Sequence, residues 1–113
     1  MPAAVDRTLA ALADPTRRRV VELLGAGPRP AGELARAVDL SPPAMSRHLR
    51  VLRTRGLVEE ERGDPRDSRL RIYRLRREPF AALRTWVDPV EAFWTEQLGS
   101  FKARAEARGK PRR

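Results

Sequence analysis

The side chains best suited to chemistry on a polyanion lie in one stretch, Ser41 to Val58, SPPAMSRHLRVLRTRGLV. Met45, Leu49 and Leu52 recur at i, i+4 and i+7, which is the spacing of a narrow apolar stripe on a helix. Pro43, Arg47, Arg50 and Thr54 fall opposite that stripe, with Ser46 beside them. An arginine guanidinium can bridge two acceptors on a guanine edge, and a serine hydroxyl can bond either a base or a phosphate. A helix gripped from behind by its apolar residues would hold those groups rigidly enough to read a major groove. A solvated helix in a basic chain would present the same face, so the case depends on the surrounding elements.

The limits of this helix are written locally. Ser41 suits an N-cap, Pro42 suits the first helical position, and Gly56 supplies the left-handed residue that ends a helix. Upstream, Ala3 to Ala13 is predicted as an amphipathic helix with Val5, Leu9 and Leu12 on one face. Asp14 then caps, and Pro15 opens, a second helix to about Leu24, which offers Val20, Val21, Leu23 and Leu24 to a core. GAGPRP, residues 25–30, is a loop by composition. A short third helix, Ala31 to Val38, buries Leu34, Ala35 and Val38, and Asp39-Leu40 joins it to the helix at Ser41. So short a join gives helix-turn-helix proportions, with the second member as recognition helix.

After Gly56 the pattern changes. Leu57 to Arg62 is predicted as a strand, residues 63–68 as a turn cluster and Arg69 to Leu75 as the return strand. Such a hairpin would be a wing, with Arg62, Arg66 and Arg69 around its tip to straddle a phosphate backbone or enter a minor groove. An ordinary polar hairpin is the alternative; its place directly after a helix-turn-helix favours the wing. The expected fold class is mainly α with a small β-hairpin, in the order α, α, α, recognition α, β, β, α.

Glu78-Pro79 opens a C-terminal helical region. Phe80, Leu83, Trp86 and Val87 line one face, Asp88-Pro89 reads as a second cap-like break, and Val90, Phe93, Trp94, Leu98 and Phe101 continue the stripe. That is more apolar surface than a small core covers alone, and a second copy of the chain is the simplest partner. The predicted dimer interface joins Val5, Leu9 and Leu12 to Leu83, Trp86, Val90, Phe93, Trp94 and Leu98. Packing within one chain is the alternative.

With 113 residues the chain can build one modest core. Residues 1–103 are read as a single DNA-binding and dimerisation domain, and 104–113 as a basic, disordered tail. The net charge of +9 is concentrated: residues 41–77 carry eleven arginines against five acids, while residues 1–40 carry six against five. A localised basic field points to a polyanion, with nucleic acid first. No segment has the length of a spanning helix and nothing resembles a signal peptide, so a cytoplasmic protein without a membrane partner is expected. The 22 arginines against two lysines suit phosphate and guanine binding, but a GC-rich genome gives the same ratio, and the many Ala, Pro and Gly residues favour that genomic explanation. The absence of cysteine excludes a disulfide framework and a thiolate metal site. One histidine, no Gly-rich phosphate loop and no clustered catalytic pair leave little for an enzyme to use, and no cofactor is expected.

Three stretches, LADPTRRRVVELL (Leu12 to Leu24), GELARAVDLSPPAMSRHLRVLRTRGLV (Gly32 to Val58) and RIYRL (Arg71 to Leu75), make the chain similar to the ArsR/SmtB family of bacterial winged-helix repressors. With their flanking helices they cover nearly the whole chain. The resemblance implies a homodimer joined by first and last helices, two recognition helices one turn of DNA apart, and repression of a nearby promoter through an operator in double-stranded DNA. It places DNA contacts near Ser41, Ser46, Arg47 and Arg50, with Arg66 and Arg69 as wing candidates. His48 resembles the family's frequent histidine in this helix, in a structural or phosphate-contacting role. Metal sensors of the family carry a thiolate pair just before or within the third helix, where this chain has Pro28 to Gly32. Others use histidine and carboxylate ligands on the last helix; here Asp88, Glu91 and Glu96 have no histidine with them, and carboxylates alone suit only hard cations. No metal sensing is expected, and the effector stays open. The wing GDPRDSR also resembles that of MarR-type regulators, whose longer terminal helices 113 residues hardly accommodate. Two other functional readings remain: a sequence-indifferent or architectural nucleic-acid binder, and a winged-helix module that uses its aromatic stripe for protein contacts.

Overall fold

The computed structural model describes residues 3–64 and 66–109, with the side chains of residues 63, 64, 67–69 and 109 outside that description. The elements run α1 (Ala3–Leu12), α2 (Pro15–Gly25), β1 (Arg29–Pro30), α3 (Ala31–Ala37), α4 (Pro42–Thr54), β2 (Val58–Asp64), β3 (Asp67–Leu75) and α5 (Arg77–Gly109).

Local signals set most helix ends. The Asp14 carboxylate accepts the Arg17 amide at 2.9 Å and caps α2. In return Arg17 Nε donates to the Ala11 carbonyl at 2.6 Å, and Arg18 reaches the Leu12 carbonyl at 2.8 Å, so the exposed end of α1 is closed by α2. Between α3 and α4, Asp39 takes a left-handed φ of 55°, which lets the Leu40 amide donate back to the Ala35 carbonyl at 2.9 Å. Ser41 Oγ accepts the Ala44 amide at 3.3 Å and starts α4. Gly56, at φ 82°, ends it, with the Leu57 amide donating to the Leu52 carbonyl at 2.8 Å.

The core gathers Val20 and Leu24 of α2, Leu34 and Ala35 of α3, and Met45, Leu49 and Leu52 of α4. Leu57, Val58 and Tyr73 close it from the sheet side. The sheet has three antiparallel strands in the order β1-β3-β2. β1 lies where composition predicts only a loop: Arg29 and Pro30 pair with Tyr73 and Ile72. β2 and β3 extend further towards the turn than the sequence suggests, and Arg62 pairs with Arg71 inside the ladder rather than standing at the tip.

One expectation about the terminal helices needs correction. On α1 the buried positions are Val5, Thr8 and Ala11, whereas Leu9, expected at the dimer interface, is 39% exposed in the single chain. Small side chains at i and i+3 allow close approach, and the Thr8 hydroxyl is satisfied by donating to the Ala4 carbonyl at 3.0 Å. At the other end, α5 passes through Asp88-Pro89 without ending and continues to Gly109, past the point where a disordered tail was expected. Arg84 and Asp88, at 3.7 Å, span the turn before the proline, and Lys102 and Glu106, at 3.9 Å, form a second i,i+4 pair in an Ala-, Arg- and Glu-rich segment of high helix propensity. Residues 110–113 of the expected tail lie outside the described residues. At 33 residues α5 is about 50 Å long, and the molecule reaches 80 Å along its longest axis.

Candidate nucleic-acid interface

α4 presents two unlike faces. Met45, Leu49 and Leu52 are buried, and Ser41, Pro43, Ser46, Arg47 and Arg50 are exposed. Among the described residues neither Arg47 nor Arg50 has a hydrogen-bond or ion-pair partner. Two guanidiniums are thus held on a rigid backbone with all their donors open.

His48 is turned away from this face. Its Nδ1 lies 3.8 Å from Asp14 Oδ2 and its ring is half-buried, so it joins the recognition helix to the cap of α2. The Arg17 amide bond to Asp14 holds that carboxyl below its usual range, with the nearby His48 and Arg17 charges adding to the effect.

Facing α4 is one side of the hairpin. Cross-strand partners share a face, so Val58, Glu60 and Arg62 of β2 lie on the same side as Leu75, Tyr73 and Arg71 of β3. A groove of about 510 Å³ runs between this face and α4, lined by Ser46, Arg50, Arg53, Glu60, Arg71 and Tyr73. Its floor holds Glu60, whose side chain is only 11% exposed. One carboxylate oxygen accepts from Arg53 Nη1 at 2.5 Å and the other from Arg71 Nη1. The Arg71 bond, with the Arg71 and Arg53 charges behind it, keeps the Glu60 carboxyl below the usual range. Burial pushes the Tyr73 phenol up, and the charge of Glu60 adds to this.

The opposite side of the hairpin is neutralised differently. Glu59 accepts from Arg74 at 2.9 Å and lies 3.5 Å from Arg76. Of the predicted wing residues, Arg62 is exposed on the α4-facing side and Arg66 is exposed in the turn between β2 and β3. Arg69 is on β3, and its side chain lies outside the described residues. Sequence reasoning missed Arg53, Glu60 and Arg71. Their meeting depends on the strand register and on the approach of α4, although Arg53 one turn beyond Arg50 was a visible hint.

The predicted dimer residues divide. Val5 is 1% exposed and has no surface left for a partner, while Leu12 and Leu83 are half-buried. Leu9, Trp86, Val90, Phe93, Trp94 and Leu98 are exposed, with Trp94 at 58%. Phe93 and Trp94 meet edge to face at 6.1 Å. Among the described residues there is no group of three or more His, Cys, Asp or Glu side chains placed to hold a metal ion, and no helix is long and apolar enough to cross a membrane.

A helix-turn-helix whose second helix is exposed along one face, followed by a hairpin packed beside it, defines a winged helix-turn-helix protein. Residues 12–61 match the family model described as a helix-turn-helix domain. The chain is 43% identical over 104 residues to the HTH-type transcriptional regulator Rv2034 of Mycobacterium tuberculosis, covering 92% of this chain and 91% of that protein. A crystal structure of the ArsR family transcriptional regulator RHA00566 superimposes with a TM-score of 0.72 at 30% identity, over 84% of this chain and 94% of the other. The solution structure of the homodimeric winged helix-turn-helix DNA-binding domain Mb0332 of Mycobacterium bovis, a possible ArsR-family regulator, gives a TM-score of 0.61 at 30% identity over 83% of each chain. The chain belongs to the ArsR family of winged helix-turn-helix transcriptional regulators.

Proposed function

We propose that the protein is a homodimeric repressor that binds an inverted-repeat operator, including one at its own promoter. The observation that carries this reading is the pairing of Arg47 and Arg50, exposed and without partners among the described residues, with a helix whose other face is fully buried. In this reading α4 enters the major groove, Arg47 and Arg50 read base edges, and Ser41, Pro43 and Ser46 lie against the backbone at the helix start. Arg62, Arg66 and Arg69 follow the phosphates beside it. The exposed stripe from Trp86 to Leu98, with Leu9, joins two copies, as the homodimeric Mb0332 domain suggests. The protein acts by binding alone, without catalysis or a metal, in the bacterial cytoplasm where its operator lies.

The test is a selection from random duplex DNA at about 150 mM salt, the physiological reference, with the gene's upstream region as a second probe. Enrichment of an inverted repeat with half-sites about 34–36 Å apart, one helical turn, is expected. Binding without an enriched motif, collapsing as salt rises, would replace this reading with a sequence-indifferent binder. A stable complex with another protein and no affinity for any duplex would point to the protein-interaction module.

A further inference from the structure

We propose that Glu60 is a specificity-determining residue: it holds Arg53 and Arg71 off the DNA phosphates, so that sequence-independent attraction stays low and recognition rests on Arg47 and Arg50. The inference rests on the DNA-binding reading above. Its starting point is an acid in the wrong place for a polyanion-binding surface. Glu60 forms the floor of the groove bordered by Ser46 and Arg50, inside the face offered to DNA. A carboxylate there repels phosphate, and it also ties up two cations.

The geometry is that of a clamp. Each carboxylate oxygen is taken by a different element, Arg53 of α4 on one side and Arg71 of β3 on the other. The carboxylate is nearly covered, while the two guanidinium side chains are more than half exposed. Exposed pairs on a rim contribute little and yield readily to salt; a carboxylate with little access to water and two charged donors is far harder to displace. The cross-strand partner of Arg71 is Arg62, a like charge on the same face, which would by itself push Arg71 outwards. Glu60, one pair further along that face, draws it back.

The consequence is read in salt dependence. Each phosphate neutralised by the protein adds about 0.9 to the slope of log affinity against log salt. Over a fourfold rise in salt, each such contact therefore costs roughly 3.5-fold in affinity. In a chain of net charge +9 competition from random DNA is severe, and the ratio of specific to random affinity is the quantity that matters.

The experiment compares wild type, Glu60→Gln and Glu59→Gln on the selected inverted repeat and on random duplex of equal length, from 50 to 200 mM salt. Glu60→Gln is expected to bind random duplex more tightly and to steepen its slope by about 0.9 for each arginine released onto phosphate. The specific-to-random ratio should fall. Glu59→Gln changes the net charge equally but lies on the other side of the strand, where Arg74 and Arg76 are its partners, and it should behave as wild type. Adding Arg71→Gln to Glu60→Gln should return part of the slope. Equal behaviour of the two glutamate variants would reduce the effect to net charge and overturn the proposal. Should Glu60→Gln not fold, Arg71→Gln alone decides: an unchanged random-duplex slope supports a held Arg71, and a flatter one means that Arg71 already reaches phosphate. A wild type that binds no duplex at all would overturn the DNA-binding reading itself, and this proposal with it.

Discussion

Replacing Asp14 tests the joint on which the first two helices and the recognition helix meet. Its carboxylate caps α2 through the Arg17 amide at 2.9 Å and lies 3.8 Å from His48 Nδ1. Removing an N-cap acceptor costs about 0.5–2 kcal/mol. Asp14→Ala should lose that amount, whereas Asp14→Asn keeps an acceptor at the cap and should lose only a few tenths of a kcal/mol, roughly the difference among good capping residues. For a domain of about this size, 1 kcal/mol shifts the thermal midpoint by roughly 4–8 °C. Urea and thermal melts should be run at one fixed protein concentration, because association adds to apparent stability. The pH dependence has a definite sign. Asp14 is held below its ordinary value of 3.8 by the Arg17 amide, so its contribution is present above that value and is lost as pH falls through the folded-state value. The gap between wild type and Asp14→Ala should therefore narrow in acid. An Asp14→Ala protein that melts with wild type at pH 7 would refute the capping argument. If Asp14→Asn were as damaged as Asp14→Ala, loss of the carboxylate charge rather than of the cap acceptor would be the source.

Four further outcomes are expected. Gly56→Ala should destabilise by about 1–2 kcal/mol in chemical denaturation, since φ 82° is costly for a residue with a Cβ and the Arg76 guanidinium, 3.3 Å from that Cβ, must also move. Arg47→Ala and Arg50→Ala should each cost about 1–3 kcal/mol on the selected operator with relaxed preference at one step, while Arg66→Ala weakens all sequences alike; equal losses on every sequence for all three would remove base reading. Pro89→Ala should raise the thermal midpoint, because an interior proline costs a helix about 3 kcal/mol; an unchanged or lower midpoint would refute that cost at this position. Phe93→Glu with Trp94→Glu should shift sedimentation from dimer to monomer, and an unchanged mass would move the interface elsewhere.

What could be read from the sequence was what depends on neighbours along the chain. Ser41, Pro42 and Gly56 mark both ends of α4, and the Met45, Leu49, Leu52 spacing identifies its buried face without reference to any other element. β1 was illegible because two residues carry no period and their pairing partners, Tyr73 and Ile72, are far along the chain. On α1 the burial of Thr8 and Ala11 beside Val5 carries no signal in residue type, because it depends on the close approach of another element. Asp88-Pro89 carries a true start signal, yet helix-forming residues on both sides keep α5 continuous through it. The Glu60 clamp needs the register of two strands and the position of a third element at once, and no linear pattern encodes that.

The long C-terminal helix has a consequence for how much protein a cell must make. From Arg84 to Arg108 every side chain of α5 is exposed in the single chain, so little within that chain holds this part helical. A helix of this kind is marginal in water on its own, and its order would come from the second copy. Assembly and completion of the fold then become one equilibrium, with a midpoint that rises with concentration. At a few copies per cell the frayed ends would be open to proteases; above a threshold, pairing would protect them. If that helix joins the two copies, as proposed above, it also senses abundance, and a repressor acting on its own promoter would hold its level just above the point at which its chains survive.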